Sequence, residues 1–484
     1  MIRRTTKCGH QKSNIPDNID PKIIEESQRW VRDNEGVISE SMGYNSPRIS
    51  SELPDCSMPM TFDHFNYCSL GCLYCFAYFF KSNNPAIKSV SLKSVNPKAQ
   101  LAAMRGESTN KQGRLFYEHF YSKKFLFHWG GLADPFCSFE KHNKVGLKLI
   151  KGLARMKYPT LFSFKGDGIF KRQYTKIFEH YSHQKNFAFQ ISIVTNSDKL
   201  ASEVEIGVPS TTKRLEAIKM LSDMGYWTIL RLRPFIIGVS DQGLDELLER
   251  ALAAGINGIS MEFFAQDGRA NTGMKTRYAA MAKLMGISGD LHQYFKATSP
   301  SERGGYMRTN RLVKERHVRK VYEFCAKHGL TCGISDPDYK ELNTSGSCCA
   351  MPDIYNDNPD LQNWTRSQLT YHLKEARVNY HKTGECRELL FNDVYGDESY
   401  LDDPALANDH VSVIGKCCAD RNALTQRIIL QMQWNNLRSP ANPRNYFNGK
   451  MLPIGLDSDG NLKYKYNPSP YEARWIADGV DLTK

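Results

Sequence analysis

The stretch Asn66-Tyr67-Cys68-Ser69-Leu70-Gly71-Cys72-Leu73-Tyr74-Cys75-Phe76 places three cysteines in a C-x3-C-x2-C spacing. It follows a predicted strand and runs into an apolar segment. Three thiolates on one tight loop can each ligate one iron of a four-iron cube, and Gly71 lets the backbone wrap closely. Because a fourth thiolate would close the cluster, three leave one iron open for a substrate or cosubstrate. The spacing therefore predicts an iron–sulfur site with a vacant position.

Two other interpretations use the same thiols. A zinc site would need a fourth ligand such as Cys56 or His64, although zinc sites usually combine two cysteine pairs or a cysteine pair with a histidine pair. A redox pair of Cys72 and Cys75 would leave Cys68 without a role. Iron–sulfur ligation is the interpretation that uses all three cysteines and needs no fourth protein ligand.

With the aromatic Tyr74 directly before the last cysteine, the motif resembles that of the radical S-adenosylmethionine (radical SAM) superfamily. The resemblance implies that Cys68, Cys72 and Cys75 hold a [4Fe-4S] cluster whose open iron binds S-adenosylmethionine. In that superfamily an electron from the cluster cleaves the sulfonium, and the resulting 5′-deoxyadenosyl radical abstracts hydrogen from a substrate. An electron donor such as flavodoxin or ferredoxin is also implied. Such a radical must be kept from water, which a barrel interior provides.

Strand-like and helix-like segments alternate from about residue 60 to 265. The predicted strands are Thr61–Tyr67, Phe125–Trp129, Thr160–Phe164, Ala188–Val194, Trp227–Arg233 and Gly258–Phe263. This alternation predicts an α/β fold, a partial TIM-like (β/α)6 barrel with its active site at the carboxyl ends of the strands. We divide the chain into a lead-in (1–55), the barrel (56–265), a basic helical region (266–345) and a cysteine-containing, loop-rich region (346–484).

Further residues resemble the branch of the superfamily that contains spore photoproduct lyase. With Tyr74, the resemblance assigns cosubstrate binding to Gly130, Gly131, Asp134, Lys165, Ser192 and Arg214. Asp134 would accept ribose hydroxyls, and Lys165 or Arg214 would pair with the methionyl carboxylate. Each of these residues also has an ordinary interpretation as a turn, strand or surface residue. The branch carries a cysteine hydrogen donor where this chain has Gly131, so thymine-dimer repair is not expected.

The net charge of +12 is concentrated in two segments. Residues 81–125 carry nine basic and two acidic side chains, and residues 267–328 carry thirteen basic and five acidic ones. The first segment interleaves its cations with Phe116, Tyr117, Phe120 and Tyr121, which suits a phosphate backbone with stacked bases. A solvated helix face is the alternative. DNA or RNA is therefore a predicted partner, and a nucleic-acid base or nucleotide the predicted substrate.

A second set of cysteines leaves further alternatives open. Its members are Cys325, Cys332, Cys348, Cys349, Cys386, Cys417 and Cys418. A quartet such as Cys332, Cys349, Cys386 and Cys417 would hold a second iron–sulfur cluster, as in a peptide-modifying or small-molecule isomerising enzyme. Buried structural cysteines or a zinc staple are the other interpretations. The third class of function is a zinc-stabilised nucleic-acid-binding protein without catalysis.

The interior of the predicted barrel contains charged candidates whose direction the sequence does not fix. Arg231 and Arg233 alternate on one face of the fifth strand, and Glu262 lies in the sixth. Two guanidinium groups directed inward would suit an anionic substrate such as a phosphate, whereas outward they would be polar surface.

The composition of the chain indicates the cellular compartment in which the protein is expected. The chain has 484 residues, 13 cysteines and 41% hydrophobic residues. Cysteines without an export signal more often hold metal than disulfides, and no apolar run approaches the length of a membrane-spanning helix. We expect a cytoplasmic protein with no membrane association.

Overall fold

The structure is a computed structural model that describes residues 47–49, 60–77, 92–122, 124–267, 272–298, 306–353, 369–386, 388–390, 451–456, 458 and 462–483. The predictions that involve Cys56, Cys417 and Cys418 lie outside the described residues.

A sheet of parallel strands, whose order in space is their order in the chain, forms the core. Its strands are β1 (Met60–Phe62), β2 (Phe127–Trp129), β3 (Thr160–Phe164), β4 (Phe187–Ser192), β5 (Trp227–Phe235), β6 (Gly258–Phe263) and β7 (Thr331–Ile334). The short strand Arg48–Ile49 pairs antiparallel with β1 at the edge. The sheet stays open, because β1 and β7 do not pair with each other.

One principal helix connects each strand to the next. These are α1 (Pro97–Met104), α2 (Val145–Arg155), α3 (Arg172–Tyr181), α4 (Thr211–Asp223), α5 (Leu244–Ala253) and α6 (Arg311–His328). Helix α4 shows how local sequence sets the bounds: the Ser210 side chain accepts a hydrogen bond from the amide of Lys213, and Gly225 leaves the helix with a φ of +78°, as helix caps require. The predicted helix at this position is confirmed.

Shorter elements decorate this core. Between β6 and α6 lie the helices Thr272–Leu284 and Leu291–Thr298, framed by the paired strands Gln266–Asp267 and Tyr306–Met307. Other elements are the helices Lys111–Phe116, Glu140–Asn143, Asp198–Val204, Leu369–Thr383 and Pro470–Ala477, and a three-stranded sheet of Glu388–Leu390, Met451–Leu456 and Leu462–Tyr466. In the described part of the chain, no helix combines the length and apolarity that crossing a membrane demands.

Alternating side chains give the sheet two unlike faces. The face toward the helices, here called the convex face, is aromatic: Phe162 stacks on Phe189 with ring centroids 5.3 Å apart, and Phe178 packs edge-on against both. On the opposite face, Leu161 and Ala188 of neighbouring strands belong to one hydrophobic cluster. The other members of the cluster are Leu126, Ile229 and residues 349–351. Since side chains from successive strands converge there, this is the concave face of a partial barrel.

The segment Cys348–Met351, here called the floor segment, closes the concave face at the amino ends of the strands. Gly333 in β7 permits this contact, because a Cβ atom there would lie 2.4 Å from the amide nitrogen of Ala350 and 2.8 Å from the Cys348 carbonyl oxygen. Hydrogen bonds fix the segment as well: the Gln190 side chain donates to the Cys349 carbonyl at 2.7 Å, and the Trp227 indole donates to the Ala350 carbonyl at 3.2 Å.

The predicted partial barrel is confirmed, with one strand more than expected. All six predicted strands are present, and Thr160–Phe164 and Gly258–Phe263 have the predicted bounds. Strand β7 and helix α6 come from the stretch 266–345, which the sequence had suggested to be helical only. The barrel core therefore extends beyond residue 265.

Candidate active site

The loop that carries the three cysteines is held from three directions. The Cys68 sulfur accepts a hydrogen bond from the amide of Asp134, at 3.5 Å, from the loop after β2. The pair Gly71–Cys72 forms a short antiparallel ladder with Glu205–Ile206. From the helix Thr272–Leu284, the buried guanidinium of Arg277 donates to the Cys72 carbonyl at 3.0 Å. These contacts fix the loop at the carboxyl ends of the strands.

The environment of the thiols fits an iron–sulfur cluster. Burial raises the pKa of Cys68 and of Cys72, and electrostatic interaction of Cys72 with the Cys75 and Cys68 thiols raises its pKa further. Buried thiols that disfavour one another's ionisation become thiolates when they ligate a cationic metal centre. No three His, Cys, Asp or Glu side chains of the described residues converge on the position of a single ion, and a cube that spreads its ligands over separate irons does not require it.

A fourth thiol, that of Cys137, lies near Cys68 but belongs to the convex side. Its side chain is buried in the main hydrophobic core and hydrogen-bonds with Ser69. Burial raises the pKa of Cys137 to about 12. Because Cys137 lies in the hydrophobic core and outside the C-x3-C-x2-C loop, it suits packing better than ligation.

Glu205 is the hub of the polar contacts beside the cysteine loop. Its buried carboxylate accepts a short hydrogen bond from the Tyr74 hydroxyl and lies 2.6 Å from Nη1 of Arg214. The Lys165 ammonium is 3.9 Å from the same carboxylate and 5.4 Å from the centre of the Tyr74 ring. The structure thus brings Tyr74, Lys165 and Arg214 together around a carboxylate that had not been predicted as a site residue.

Arg214 is already engaged. Besides Glu205, its Nη1 donates to the Ser192 carbonyl at 2.7 Å, and the side chain is 2% exposed. Lys165 differs, since its side chain is 14% exposed and its charge acts on Cys72, where it opposes the rise in pKa that burial causes. Of the two cations proposed for the methionyl carboxylate, Lys165 is the one placed to reach a ligand.

Asp134 and Gly130 have structural partners of their own. The Asp134 carboxylate accepts from the amides of Phe136, Lys165 and Gly166 at 2.8, 2.5 and 3.0 Å. Burial nevertheless raises its pKa. At Gly130, where φ is +108°, a Cβ atom would lie 2.1 Å from the Ser163 carbonyl oxygen. The close approach expected of Gly130 is therefore to β3; ribose binding by Asp134 and the role of Gly131 stay predictions.

The fifth strand directs both of its arginines to the concave face. Nη1 of Arg231 donates to the Ser192 hydroxyl at 3.3 Å. Nη1 of Arg233 donates to the Cys349 sulfur at 3.4 Å, Nη2 donates to the Cys348 carbonyl at 3.1 Å, and Nε lies 3.6 Å from Glu262. Arg233 thus holds the floor segment, and Arg231 interacts electrostatically with both Cys349 in the floor and Tyr74 in the cysteine loop.

A hydrogen-bonded row crosses the middle of the concave face. The Ser163 hydroxyl donates to Oε1 of Gln190 at 2.7 Å and lies 2.8 Å from Nε2 of His128. Since the hydroxyl hydrogen is already used, Nε2 must carry the proton that it donates to Ser163. The interior between the cysteine loop and the floor is consequently polar and pre-organised.

Among the described members of the second set of cysteines, Cys332 and Cys349 lie apart. Cys332 packs in the convex core and hydrogen-bonds with Cys325, whereas Cys349 contacts Arg233 on the concave face. Because these two lie on opposite faces of one sheet, they cannot share a cluster; a second cluster built on other members of the set stays a prediction. For the zinc site considered at the cysteine loop, His64 is not a suitable fourth ligand, because both of its ring nitrogens are engaged. Nε2 lies 2.9 Å from Glu140, and Nδ1 accepts a hydrogen bond from the Trp129 indole at 2.9 Å.

The aromatic residues of the first basic segment are mostly core residues, which corrects the expectation of a stacking surface. Phe116 and Phe120 are fully buried and Tyr121 is 2% exposed, whereas Tyr117 is 36% exposed. In the second segment Lys314 is buried and lies 2.8 Å from both Asp336 and Asp338. Part of the positive charge therefore stabilises the fold, and a nucleic-acid partner stays a prediction.

Three residues that contact the candidate site were not predicted as site residues. Glu205 was not singled out in the sequence, Arg277 is one of many cations in the second basic segment, and Cys349 was named as one of several cysteines. Each reaches the site by a long-range contact, so its neighbours in sequence carry no signal.

Comparisons with known proteins come from solved structures. No protein-family model matches the chain, and a comparison with curated proteins gives no match. A mutant of spore photoproduct lyase aligns at 14% identity with a TM-score of 0.47, covering 66% of this chain and 86% of that one. A mutant of the same enzyme with bound AdoMet and dinucleoside spore photoproduct aligns at 12% identity, with a TM-score of 0.41 over 65% of this chain and 96% of that one.

Streptococcus suis SuiB bound to S-adenosylmethionine aligns at 14% identity, with a TM-score of 0.34 over 57% of this chain and 49% of that one. Spore photoproduct lyase and SuiB are radical SAM enzymes, the superfamily that the cysteine motif of this chain resembles. At these identities the likeness concerns the fold, and the assignment of function rests on the residues of the chain itself.

Proposed function

We propose that the protein is a radical SAM enzyme that modifies or rearranges a nucleic-acid base or a nucleotide. The observation that carries the proposal is the C-x3-C-x2-C loop, held at the carboxyl ends of a parallel partial barrel beside Tyr74, Lys165 and Glu205. When bound there, a [4Fe-4S] cluster would supply the electron that cleaves S-adenosylmethionine to a 5′-deoxyadenosyl radical, which takes a hydrogen atom from the substrate.

The residues of the chain prepare this site in three ways. Glu205 fixes Tyr74 and Arg214 in place, so little reorganisation is needed when a ligand arrives. The Lys165 ammonium lies beside Cys72 and would pair with the methionyl carboxylate, while the Ser192 hydroxyl faces the same interior. The floor segment and the strands seal the opposite end, which keeps a radical from water.

The charge of the concave face supports the proposed substrate class. Arg231 and Arg233 lie in the interior, and Glu262, with a side chain 44% exposed, is the carboxylate near Arg233. A cationic interior of this kind suits a phosphate-bearing substrate. An uncharged small molecule would leave Glu262 as the carboxylate available to both guanidinium groups.

The test is an anaerobic assay of the reconstituted, reduced protein with S-adenosylmethionine. We expect about four irons per chain, and formation of 5′-deoxyadenosine that rises when the correct nucleic acid or nucleotide is added. When a cysteine of the loop is replaced, as in Cys72→Ala, the matched control is Cys386→Ser, because Cys386 belongs to the second set and is partly exposed.

Each failure would be informative. Zinc in place of iron would contradict the proposal of a radical SAM enzyme and favour a non-catalytic nucleic-acid-binding protein. Eight or more irons per chain would favour a peptide-modifying or small-molecule isomerising enzyme with a second cluster. Iron with 5′-deoxyadenosine, but no response to DNA, RNA or nucleotides, would retain the class of enzyme and reject the substrate.

A further inference from the structure

The outer face of helix α2 is a row of cations. Every exposed position from residue 144 to residue 157 is a lysine or an arginine, while the opposite side of the helix packs into the hydrophobic core. The members of this row, here called the α2 row, are Lys144, Lys148, Lys151, Arg155 and Lys157. From residue 141 to residue 166 the sequence has seven basic residues and no acidic one. This charge lies outside the two basic segments that the sequence analysis identified.

The α2 row has no counter-charge of its own. Among the described residues, none of its five cations forms an ion pair with a carboxylate. Lysines on the outer helix α4 differ, because Lys213 lies 2.6 Å from Glu216 and Lys219 lies 2.9 Å from Asp223. Like charges three and four residues apart on a helix repel each other. A polyanion that covered the row would remove this repulsion.

The two ends of the row show the same preference for a cation. Lys144 and Lys157 have φ values of +51° and +49°, the left-handed conformation in which glycine or asparagine is usually found at a helix boundary. A lysine occupies both positions, although each strains the backbone of a residue with a side chain. The positive charge therefore continues beyond the regular part of the helix.

The row begins beside the candidate active site. The segment that leads from β2 to α2 contacts the cysteine loop, where the Ser138 amide donates to the Ser69 hydroxyl at 3.0 Å. Because α2 returns from the carboxyl end of β2 to the amino end of β3, Lys144 lies at the end of the row nearer to the site. With a rise of about 1.5 Å per residue, the row from Lys144 to Arg155 is about 16 Å long.

The composition of the row distinguishes between possible partners. One strand of a duplex presents a phosphate about every 3.4 Å of its axis, hence about five phosphates along the row. The exposed positions include no aromatic ring on which a single strand could stack, and no apolar side chain of the kind that forms the centre of a protein interface. Lysine and arginine contain no acceptor for a 2′-hydroxyl, so the row has no means of selecting RNA.

We propose that the α2 row binds the phosphate backbone of duplex DNA and guides it to the opening of the barrel. The proposal rests on the proposed function and deepens it, because it names a DNA polymer as the substrate in place of a free nucleotide. Contacts to phosphates position a protein on DNA without reading its sequence. The row would therefore supply affinity, and the interior of the barrel would select the base.

The experiment measures binding of a fluorescein-labelled 20-bp DNA duplex to the full-length, reconstituted protein by fluorescence anisotropy, from about 50 to 200 mM salt. The variant carries Lys148→Gln and Lys151→Gln together, which keeps good helix formers at exposed positions. We expect its affinity to fall about 10-fold, and the slope of log K against log salt to decrease by about 2, since each lost phosphate contact removes about 1. Iron content and cleavage of S-adenosylmethionine without DNA should not change.

The matched control carries Lys213→Gln and Lys219→Gln, which change the net charge equally on helix α4; its affinity for the duplex should stay within about 2-fold of the parent protein. The proposal is overturned if the parent protein does not bind the duplex near 50 mM salt, if the control loses as much affinity as the row variant, or if single-stranded DNA or duplex RNA of the same sequence binds more tightly.

An acidic electron donor is the other partner that a cationic row could hold, and it gives a different result. The row variant would then bind DNA as the parent protein does, but would cleave S-adenosylmethionine more slowly with flavodoxin and at the parent rate with a chemical reductant. That result also overturns the proposal. Cleavage of S-adenosylmethionine by the parent protein, measured on the same samples, tests the proposed enzyme class separately. Its presence without DNA binding would reject the docking surface alone.

Discussion

The two faces of the sheet use the same strands for opposite purposes. On the convex face, Phe162 and Phe189 pack into an aromatic core with the helices. On the concave face, Ser163 and Gln190 come from the same two strands and Arg231 comes from the next one, and all three form hydrogen bonds across the interior. A single alternation of side chains thus separates what holds the barrel together from what a ligand would meet.

Two buried carboxylates show the same division. Glu140, on the helix side, accepts from Gly146, Tyr174 and His64 and has no arginine or lysine partner among the described contacts. Glu205, beside the cysteine loop, is surrounded by Tyr74, Arg214 and Lys165. The first closes a structural network, while the second organises residues that would face a cosubstrate. Variants on each side should therefore separate stability from chemistry.

The largest expected effect is that of Cys72→Ala, compared with Cys332→Ala on the convex face. Loss of one ligand of three should remove most of the reconstituted iron, and 5′-deoxyadenosine should fall at least about 1,000-fold, as when a group essential to catalysis is removed. Cys332→Ala should retain the iron and the cleavage activity. Anaerobic iron and sulfide analysis with a chromatographic assay measures both.

The contrast would break if Cys332→Ala lost as much iron as Cys72→Ala, because a convex cysteine would then be a ligand. Cys386→Ser serves as a second reference, since this partly exposed thiol belongs to neither face of the sheet core.

The next effect is on stability. Phe162→Ala removes a fully buried ring from the convex face and should lower the free energy of unfolding by about 3–5 kcal/mol. Ser163→Ala, its neighbour on the concave face, should cost about 1 kcal/mol, because one hydrogen-bonded hydroxyl is lost. Urea unfolding of the cluster-free protein gives both values. Equal losses would indicate that the two faces are not divided as described.

The sequence predicted the strands well where alternation was strong. Thr160–Phe164 and Gly258–Phe263 have the predicted bounds, and the cysteine loop lies at the predicted edge. Strand β7 was missed because it is only four residues long and contains Gly333. Residue type alone cannot tell a stacking ring from a core ring, which explains why Phe116 and Phe120 were misinterpreted.

The interior of the site was harder to predict than its location. Whether Arg231 faces inward depends on the register of β5 with its neighbours, which the local pattern does not contain. The floor segment lies more than 100 residues from the strand residues Arg233 and Gln190 that it contacts. Contacts of that length arise from tertiary packing, so no motif around Cys349 predicted them.

The third-largest expected effect is that of Glu205→Gln, which should lower both the stability of the fold and the affinity for S-adenosylmethionine. Neutralising the hub leaves Arg214 buried without a counter-charge, which should cost about 3 kcal/mol. Because Tyr74 and Lys165 lose their common partner, the affinity for S-adenosylmethionine should fall as well. Glu216→Gln is the control, since this exposed carboxylate pairs with Lys213 on the surface and should change stability by less than about 1 kcal/mol. A hub variant as stable as this control would show that the buried network contributes little.

The smallest effect is the pH-dependent one at Glu140. Burial opposes ionisation of this carboxyl, but hydrogen bonds from His64, Tyr174 and Gly146 outweigh it and hold its pKa below the usual value of 4.5. A carboxyl whose folded-state pKa is lowered stabilises the fold above the unfolded-state value and loses that contribution as the pH falls through the folded-state pKa. Glu140→Gln should therefore cost about 1–2 kcal/mol at pH 7, with a smaller difference from the parent protein below pH 4.5. Urea unfolding at pH 7 and near pH 4 checks this, with the exposed Glu179→Gln as control. A difference that grew on acidification would mean that the network favours the protonated carboxyl, and the comparison with Glu205 would lose its basis.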